Sequence, residues 1–191
     1  LTHYNDIKHA RAEIDKSSTR SLPIYSLDTG LIFERNSTVF GRETEQTLEP
    51  RLFYAYIPYR NQRHMPNFDS SSADLNFAEL FTPNKYTGFD RIANTNQLSA
   101  VLTTRYIDSG TGKEWFSATV GQRYYFTDEK VDLYWSNPGK TKNRSDVLAA
   151  SQFSLFEGWR LEGAIQYSTE WSRISKTSAG IRYNPRDFST V

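Results

Sequence analysis

Residues 159–171 decide the fold class, and they read Trp159-Arg160-Leu161-Glu162-Gly163-Ala164-Ile165-Gln166-Tyr167-Ser168-Thr169-Glu170-Trp171. The odd-numbered positions are mostly apolar or aromatic, and the even-numbered positions are charged, polar or small. A period of two places alternate side chains on opposite faces of a β-strand. The stretch therefore predicts a strand with one apolar face and one polar face, and with tryptophan at both ends.

The same alternation recurs along most of the chain. It predicts further strands at residues 25–33, 48–56, 98–106, 116–126, 147–156 and 177–183, with a weaker one near residues 1–13. Pro50 lacks an amide hydrogen, so we expect an irregularity in the strand that contains it. The whole pattern predicts roughly eight strands and almost no helix, which is an all-β antiparallel fold.

Aromatic residues stand at the ends of the predicted strands more often than in the middle. Outer-membrane β-barrels carry such aromatic girdles where their strands cross the two membrane interfaces. A soluble antiparallel sandwich also has alternating strands, but those strands are usually only five or six residues long. We therefore predict a transmembrane β-barrel whose lipid-facing girdle contains Tyr25, Phe33, Tyr54, Tyr56, Phe116, Phe126, Trp159 and Trp171.

Charged residues of both signs occupy the opposite face of the predicted strands. In a membrane barrel this face lines a wet lumen, and a wet lumen explains the charges without any substrate. The predicted lumen-facing residues are Glu49, Arg51, Arg105, Arg123, Arg160, Glu162, Glu170, Lys176 and Arg182.

The predicted connections are residues 36–46, 59–93, 109–113, 127–146, 157–158 and 172–173. Gly158 and the pair Gly110 and Gly112 supply the positive φ angles that tight hairpins need. The long connections at 59–93 and 127–146 fall on one side of the sheet, which by analogy with membrane barrels is the extracellular side.

The connection at residues 59–93 is too long and too apolar for an ordinary surface loop, and loops of this length are usually functional or disordered. Residues 70–81 predict one or two helical turns, capped by the serines at 70–72 and stopped before Pro83. We expect the loop to fold into the barrel mouth or against a partner; the alternative is a flexible insertion held by a few aromatic residues. The predicted contact residues are Phe68, Phe77, Phe81, Phe89 and Arg91.

Composition and motifs exclude several functional classes. Twenty-three basic residues against 22 acidic ones leave a net charge of +1, which offers no electrostatic basis for binding nucleic acid. The chain has no cysteine, no histidine and carboxylate spacing typical of a metal site, and no catalytic or phosphate-binding motif. We therefore predict no metal, no cofactor and no enzymatic activity; a barrel lipase or protease using His64 with Asp69 or Asp74 is the remaining enzymatic alternative.

Several short motifs are spread over nearly the whole chain. They include Gln46-Thr47-Leu48-Glu49-Pro50-Arg51, Tyr56-Ile57-Pro58-Tyr59-Arg60-Asn61-Gln62, Asn67-Phe68-Asp69-Ser70, Phe89-Asp90-Arg91-Ile92 and Val120-Gly121-Gln122-Arg123-Tyr124-Tyr125-Phe126. Thr2-His3-Tyr4, Phe33-Glu34-Arg35, Asn96-Gln97-Leu98 and Gly163-Ala164-Ile165-Gln166-Tyr167 fit the same series. Together these motifs resemble the LptD (OstA) family, which assembles lipopolysaccharide in Gram-negative outer membranes.

The resemblance implies a component of an outer-membrane translocon and not an enzyme. It also implies a large barrel plugged by the lipoprotein LptE, with a periplasmic domain that receives lipopolysaccharide from the proteins of a transport bridge. On this basis we expect residues 1–191 to be one partial barrel domain of about eight strands, with loop 59–93 near the plug. The implied partners are lipopolysaccharide, LptE, the bridge proteins and membrane lipid, with no nucleic acid.

Two other functions stay open at this point. One is a diffusion pore or solute channel of the same architecture, which ionic conductance would favour. The other is a soluble β-rich binding module, which would stay monomeric in water without detergent.

Overall fold

The computed structural model describes residues 1–5, 14, 17–133, 142–154 and 158–184. These residues form an almost entirely antiparallel β structure, so the fold class predicted from the alternation is confirmed. Its strands are β1 (Thr2–Tyr4), β2 (Ser18–Arg20), β3 (Tyr25–Gly30), β4 (Phe33–Val39), β5 (Arg42–Ile57), β6 (Thr95–Asp108), β7 (Glu114–Tyr125), β8 (Val147–Ser154), β9 (Trp159–Ser168) and β10 (Arg173–Tyr183). In the described part of the chain, no helix is long and apolar enough to cross a membrane.

Eight of these strands form one sheet, in the order β10-β9-β8-β7-β6-β5-β3, and β4 also pairs with β5. Strands β5 to β10 follow one another in the sheet as they do in the sequence. Among the described residues β10 and β3 are its two edges, so the sheet is open, as expected for part of a barrel wall. Strands β9 and β10 contain 10 and 11 residues, which matches the roughly 9–11 residues of a transmembrane strand.

The edge of the sheet beside β5 is interrupted opposite Pro50. Strands β3 and β4 both pair with β5, and Leu31, which lies between them, donates its amide hydrogen to the Pro50 carbonyl oxygen at 3.0 Å. Proline can accept this bond but has no amide hydrogen to return, so the ladder cannot continue through this point. The irregularity predicted at Pro50 is confirmed, and the strand predicted at 25–33 consists of two segments.

Strands β4 and β5 are joined by a two-residue turn, so the loop predicted at 36–46 is wrong. Phe40 and Gly41 both have positive φ angles, 52° and 75°, as a two-residue hairpin turn requires. The sequence concealed this turn because phenylalanine is unusual at positive φ. The flanking polar residues also lack an apolar alternation.

Strand β9 ends at Ser168, which is three residues before the end of the predicted strand. The Ser168 hydroxyl accepts a hydrogen bond from the Trp171 amide at 3.4 Å, and Ser172 has a φ of 47°. The backbone therefore turns at 169–172, and Glu170 and Trp171 lie in that turn rather than in a strand. Of the other predicted turn glycines, Gly112 and Gly158 have positive φ angles and Gly110 does not.

The chain divides into two compact units, which are described separately below. The loop unit is formed by Leu1–Asp28, Phe53–Ser99 and Tyr124–Arg144, and the sheet unit by Thr29–Leu52, Ala100–Arg123 and Ser145–Val191. The strand predicted near residues 1–13, the end of the strand predicted at 147–156 and the residues after 184 lie wholly or partly outside the described residues.

Inside the loop unit, residues 59–93 pack against the end of β5 and the start of β6. Phe81 contacts Phe53 edge to face, with ring centroids 6.1 Å apart. The Gln97 side-chain amide donates to the Thr82 carbonyl oxygen at 3.1 Å. The helix predicted at 70–81 is a single 3-10 turn, Glu79–Phe81, whose N-cap residue is Ala78 and not a serine of 70–72. The Asn76 side chain accepts the Glu79 amide hydrogen at 2.9 Å.

Candidate functional site

The sheet unit sorts its side chains onto two faces, because residues directly opposite each other in antiparallel strands share a face. The register aligns two rows that are mostly apolar, Phe116-Phe153-Leu161-Ile181 and Val120-Ala149-Ile165-Thr177. The rows on the other face are polar or small, Ser117-Gln152-Glu162-Gly180 and Thr119-Ala150-Ala164-Ser178. The alternation seen in the sequence is therefore a separation of two surfaces in space.

The apolar face of the sheet unit is exposed. Ile165 is 43% exposed and Ile181 is 70% exposed, and Leu48, Leu102 and Val120 are exposed as well. Water-soluble monomers rarely expose a continuous apolar surface of this kind. This face therefore requires an apolar environment or a partner that covers it.

The polar face carries a charged cluster between β5, β6 and β7. The Arg105 guanidinium contacts a Glu49 carboxylate oxygen at 2.9 Å and a Glu114 carboxylate oxygen at 2.8 Å. On the same face, the hydroxyls of Thr103 and Thr119 lie 3.0 Å apart. Two of the predicted lumen-facing residues, Glu49 and Arg105, are thus brought into direct contact.

A second charged group lies on the same face between β9 and β10. Arg182 contacts Glu162 at 3.7 Å, Arg160 lies directly opposite Arg182, and Lys176 lies opposite Gln166. A shallow groove of about 470 Å³ beside them is lined by small and polar residues. The register thus places these charged residues on one surface.

Two more of the predicted lumen-facing residues, Arg51 and Arg123, lie on the polar face, and a third, Glu170, does not lie in a strand. Arg51 lies two positions after Glu49 in β5, and Arg123 lies two positions after Gly121 in β7, so alternation puts both on the polar face. Glu170 lies in the β9–β10 turn, outside the strands. The prediction that the polar face lines a lumen stays a prediction.

The predicted girdle residues form small aromatic contacts. Tyr25 stacks on Tyr56 with ring centroids 6.4 Å apart. The ring centroids of Trp159 and Tyr183 lie 4.5 Å apart. Phe116 is half-buried in a cluster with Tyr106, Trp115 and Phe153. The remaining predicted girdle residues, all exposed, are Phe33, Tyr54, Phe126 and Trp171.

In the loop unit, Asp69 and Asp90 hold two distant segments together. The Asp69 amide donates to the Asp90 carboxylate at 2.9 Å, and the Asp90 amide donates to the Asp69 carboxylate at 3.1 Å. Asp90 also accepts hydrogen bonds from the Phe68 amide and the Tyr4 hydroxyl. We call this arrangement, formed by residues 68–69 and 89–90 with Tyr4, the aspartate clasp.

Two buried side chains extend the clasp along residues 89–92. The Arg20 guanidinium donates to the carbonyl oxygens of Phe89 and Asp90 at 2.6 and 2.8 Å and to the Gln62 side chain. Gln62 in turn donates to the Ile92 carbonyl oxygen at 2.7 Å. These bonds satisfy backbone groups that no sheet pairs, which keeps the buried segment from losing hydrogen-bond energy.

The structure separates the predicted loop contact residues into two kinds. Arg91 is only 1% exposed, and its guanidinium donates to the Met65 and Pro66 carbonyl oxygens at 2.7 and 3.0 Å. Phe81 also packs inward, and Phe77 is half-buried. Phe68 and Phe89, by contrast, belong to the aspartate clasp, and their side chains are exposed, by 73% and 77%.

Burial changes the ionisation of groups inside the loop unit. Desolvation, followed by the hydrogen bond to the Asp90 carboxylate, raises the pKa of Tyr4. Desolvation and a hydrogen bond to Glu129 raise the pKa of Tyr86 in the same way. Both hydroxyls therefore stay protonated and act as donors, Tyr86 to Glu129 at 2.7 Å. Desolvation lowers the pKa of the Arg91 guanidinium.

Sequence reasoning missed Tyr4, Arg20, Gln62, Asp69 and Asp90 as parts of one cluster. All but Arg20 stand in motifs that carried the resemblance, and the structure brings those motifs together although they are far apart in the sequence. Their place among the motifs that carry the resemblance was the available signal. In the described ranges, no group of three or more histidine and carboxylate side chains could hold a metal ion.

Comparison with known protein families gives one match over almost the entire chain. The sequence model of the family described as LptD, LPS transport system D, matches residues 2–191. This match includes every element described above.

Three curated proteins of similar sequence carry the same name. The chain is 43% identical over 185 residues to the LPS-assembly protein LptD of Paraburkholderia xenovorans, covering 97% of this chain and 23% of that protein. It is 45% identical over 170 residues to the LPS-assembly protein LptD of Burkholderia thailandensis, covering 89% and 22%. It is 40% identical over 190 residues to the LPS-assembly protein LptD of an Acidovorax strain, covering 100% and 23%. The chain therefore spans less than a quarter of the length of these relatives.

Proposed function

The chain belongs to the LptD family, and on that premise we propose that it forms part of the outer-membrane translocon that assembles lipopolysaccharide in the outer leaflet. The relatives are named for lipopolysaccharide assembly, and the family for its transport. In this proposal the chain supplies a segment of barrel wall and an external loop, in the outer membrane of a Gram-negative bacterium. Its role is transport and assembly, without catalysis.

One observation carries the structural part of the proposal. The same strands expose an apolar surface on one side and a charged and hydroxyl-bearing surface on the other. Membrane lipid would cover the apolar side, which removes that surface from water and is favourable. The polar side would stay hydrated within the barrel. A soluble binding module has no use for an exposed apolar face that extends over several strands.

We assign the partners by surface. Lipopolysaccharide and the plug lipoprotein LptE would meet the polar side, where Glu49, Arg105, Glu162 and Arg182 offer charges of both signs. The loop unit would pack close to LptE, through the exposed rings of Phe68 and Phe89. The proteins of the periplasmic transport bridge would contact the full-length protein elsewhere.

The proposal can be tested in cells that depend on a plasmid copy of the full-length protein. A lysine on the lipid face near the middle of a membrane strand costs about 2–4 kcal/mol. We expect Ile165→Lys to lower the amount of assembled protein and of surface lipopolysaccharide, and the matched Ala164→Lys on the polar face to leave both near normal. Equal tolerance of the two variants would contradict the proposal.

A diffusion pore of the same architecture is the competing function. Ion conductance through the reconstituted full-length protein, together with normal surface lipopolysaccharide after its depletion, would favour the pore. Loss of surface lipopolysaccharide upon depletion would favour the translocon.

A further inference from the structure

A row of exposed aromatic rings marks one end of the strands in the loop unit. Tyr54 and Tyr56 near the end of β5 are exposed, and Tyr59 follows them; Tyr124 and Phe126 are exposed at the end of β7. Aromatic side chains of this kind sit at the level of the lipid headgroups in membrane proteins. The row therefore marks the depth at which the strands would leave the apolar layer.

Two exposed cations stand directly beyond this row. Arg60 follows Tyr59 in the chain, and the Lys130 ammonium lies 5.8 Å from the centre of the Tyr59 ring. Arg60 is four residues beyond Tyr56, at most about 13 Å along an extended chain. The headgroup layer on each side of a bilayer is roughly 5–8 Å thick, so both side chains start close enough to the aromatic row to reach the headgroup phosphates.

The backbone around Lys130 is held by Asn94, the residue before β6, and by Asn96 in β6. The Asn94 side chain accepts the Lys130 amide hydrogen at 2.7 Å and donates to the Asp128 carbonyl oxygen at 2.9 Å. The Asn96 carbonyl oxygen accepts the Phe126 amide hydrogen at 2.9 Å. The segment that carries Lys130 is thus held in place before any ligand binds, which reduces the entropy lost on binding.

We propose that Arg60, which follows Tyr59 in the chain, and Lys130, which lies near the Tyr59 ring, bind the phosphate groups of an anionic glycolipid in the leaflet that surrounds the protein. Arginine and lysine donate charge-assisted hydrogen bonds to phosphate, and the aromatic row holds the cations at phosphate depth. Such a site would hold a boundary lipid at the outside of the wall, apart from any transport path. It rests on the proposed function only in placing the loop unit at the outer leaflet.

Asp128 provides an internal check on this site. Asp128 lies two residues before Lys130 in the same segment, and it is exposed. A carboxylate here repels phosphate, so removing its charge should strengthen binding. The same charge change at an unrelated position should have no effect.

The test uses the full-length protein in phosphatidylcholine nanodiscs, with purified lipopolysaccharide as the probe and native mass spectrometry as the readout. Each basic residue near an anionic membrane surface contributes about 1 kcal/mol, so we expect Arg60→Gln with Lys130→Gln to weaken lipopolysaccharide retention about tenfold or more. The matched double variant Arg42→Gln with Lys113→Gln removes the same charge from two hairpins and should stay within twofold of wild type. Arg60→Lys with Lys130→Arg should restore retention, and Asp128→Asn should increase it.

Chemically dephosphorylated lipopolysaccharide should bind wild type and the Arg60, Lys130 variant equally, and inorganic phosphate should not displace the intact glycolipid. Equal retention of intact lipopolysaccharide by wild type and that variant, or displacement by inorganic phosphate, would overturn the inference. Surface lipopolysaccharide after depletion of the protein is scored separately in cells. The measurement in cells can contradict the proposed function while the nanodisc result supports the lipid site. The nanodisc result can likewise contradict the lipid site while the measurement in cells supports the proposed function.

Discussion

Asp69 and Asp90 exchange hydrogen bonds across the loop unit, the amide of each donating to the carboxylate of the other at 2.9 and 3.1 Å. The two residues are far apart in sequence, and no strand pairing connects them. Their side chains replace the ladder that a sheet would provide. The fold of the loop unit therefore depends on particular side chains as well as on apolar burial.

Replacing Asp90 should open the loop unit locally. Asp90→Ala leaves the Tyr4 hydroxyl and the amides of Phe68 and Asp69 without their acceptor. An unsatisfied buried donor costs about 1–3 kcal/mol, and these partly buried donors should together cost about 1 kcal/mol. We expect a comparable drop in the free energy of local opening, measured by hydrogen exchange of residues 67–70 and 89–92. Asp128→Ala, which removes an exposed carboxylate of the same unit, should leave this exchange unchanged. Unaltered protection in Asp90→Ala would show that the clasp does not hold the segment.

Gly88 is constrained both by its backbone angle and by its surroundings. It has a φ of 71°, and a Cβ atom here would lie 2.5 Å from an Asp69 carboxylate oxygen and 2.6 Å from the Asp69 carbonyl oxygen. Gly112 has a φ of 68° with nothing within 4 Å of that position. Gly112→Ala should cost about 1 kcal/mol for the angle alone, and Gly88→Ala should cost at least twice as much in thermal unfolding of the full-length protein. Equal losses would mean that the backbone near Asp69 moves aside freely.

The clasp should loosen in acid. Desolvation acts to raise the pKa of Asp69, but the hydrogen bonds from the Phe89 and Asp90 amides outweigh it, so its pKa is lowered. A carboxylate with a lowered pKa stabilises the folded state above its unfolded pKa, near 3.9, and this contribution is lost as the pH falls through the lower folded value.

We therefore expect the protection factors of Phe89 and Asp90, corrected for intrinsic exchange, to fall only below about pH 4. Asp69→Asn keeps a side-chain oxygen but cannot titrate, so it should lack this acid-dependent part. A loss of protection centred near pH 6, or an identical acid profile in Asp69→Asn, would contradict the assignment.

The charged residues of the polar face should differ in their contribution to stability. Arg105 contacts two carboxylates at 2.9 and 2.8 Å, whereas Arg182 contacts one at 3.7 Å, with both partners more exposed. Exposed ion pairs contribute about 0–1 kcal/mol, so we expect Arg182→Gln to change the free energy of unfolding by less than about 0.5 kcal/mol. Arg105→Gln should cost about 1 kcal/mol, because it also leaves Glu49 and Glu114 without a shared cation. A larger loss for Arg182→Gln in denaturant titrations would reverse this ranking.

The sequence predicted the strands well wherever apolar and polar residues alternate strictly. Strands β6, β7 and β9 begin or end within a few residues of their predicted limits. One face of each strand is apolar and the other is polar, so the residue types alternate along the sequence. The β4–β5 hairpin escaped prediction because its residues are polar on both faces and its turn uses Phe40 at positive φ. The end of β9 was predicted three residues too late, because the alternation of apolar and polar residues continues through the turn to Trp171.

The aspartate clasp lay beyond single-sequence reasoning for a different reason. Tyr4, Arg20, Gln62, Asp69 and Asp90 show no spacing that a local rule could detect, and the folded chain alone brings them together. Arg91 was predicted as a loop or partner contact residue, and its guanidinium is buried against carbonyl oxygens of residues 65 and 66. Charge in a sequence suggests exposure, and the acceptors that permit burial are visible only in three dimensions.

The most direct test of the whole account is the environment of consecutive residues in β9. Nitroxide labels placed one at a time at positions 161–166 of the full-length protein in lipid bilayers report collision with oxygen, which concentrates in lipid, and with a water-soluble nickel chelate. We predict a period of two, with Leu161, Gly163 and Ile165 accessible to oxygen and Glu162, Ala164 and Gln166 protected from it. Equal access of the nickel chelate to both sets, or the opposite parity, would contradict the assignment of the apolar face to the membrane.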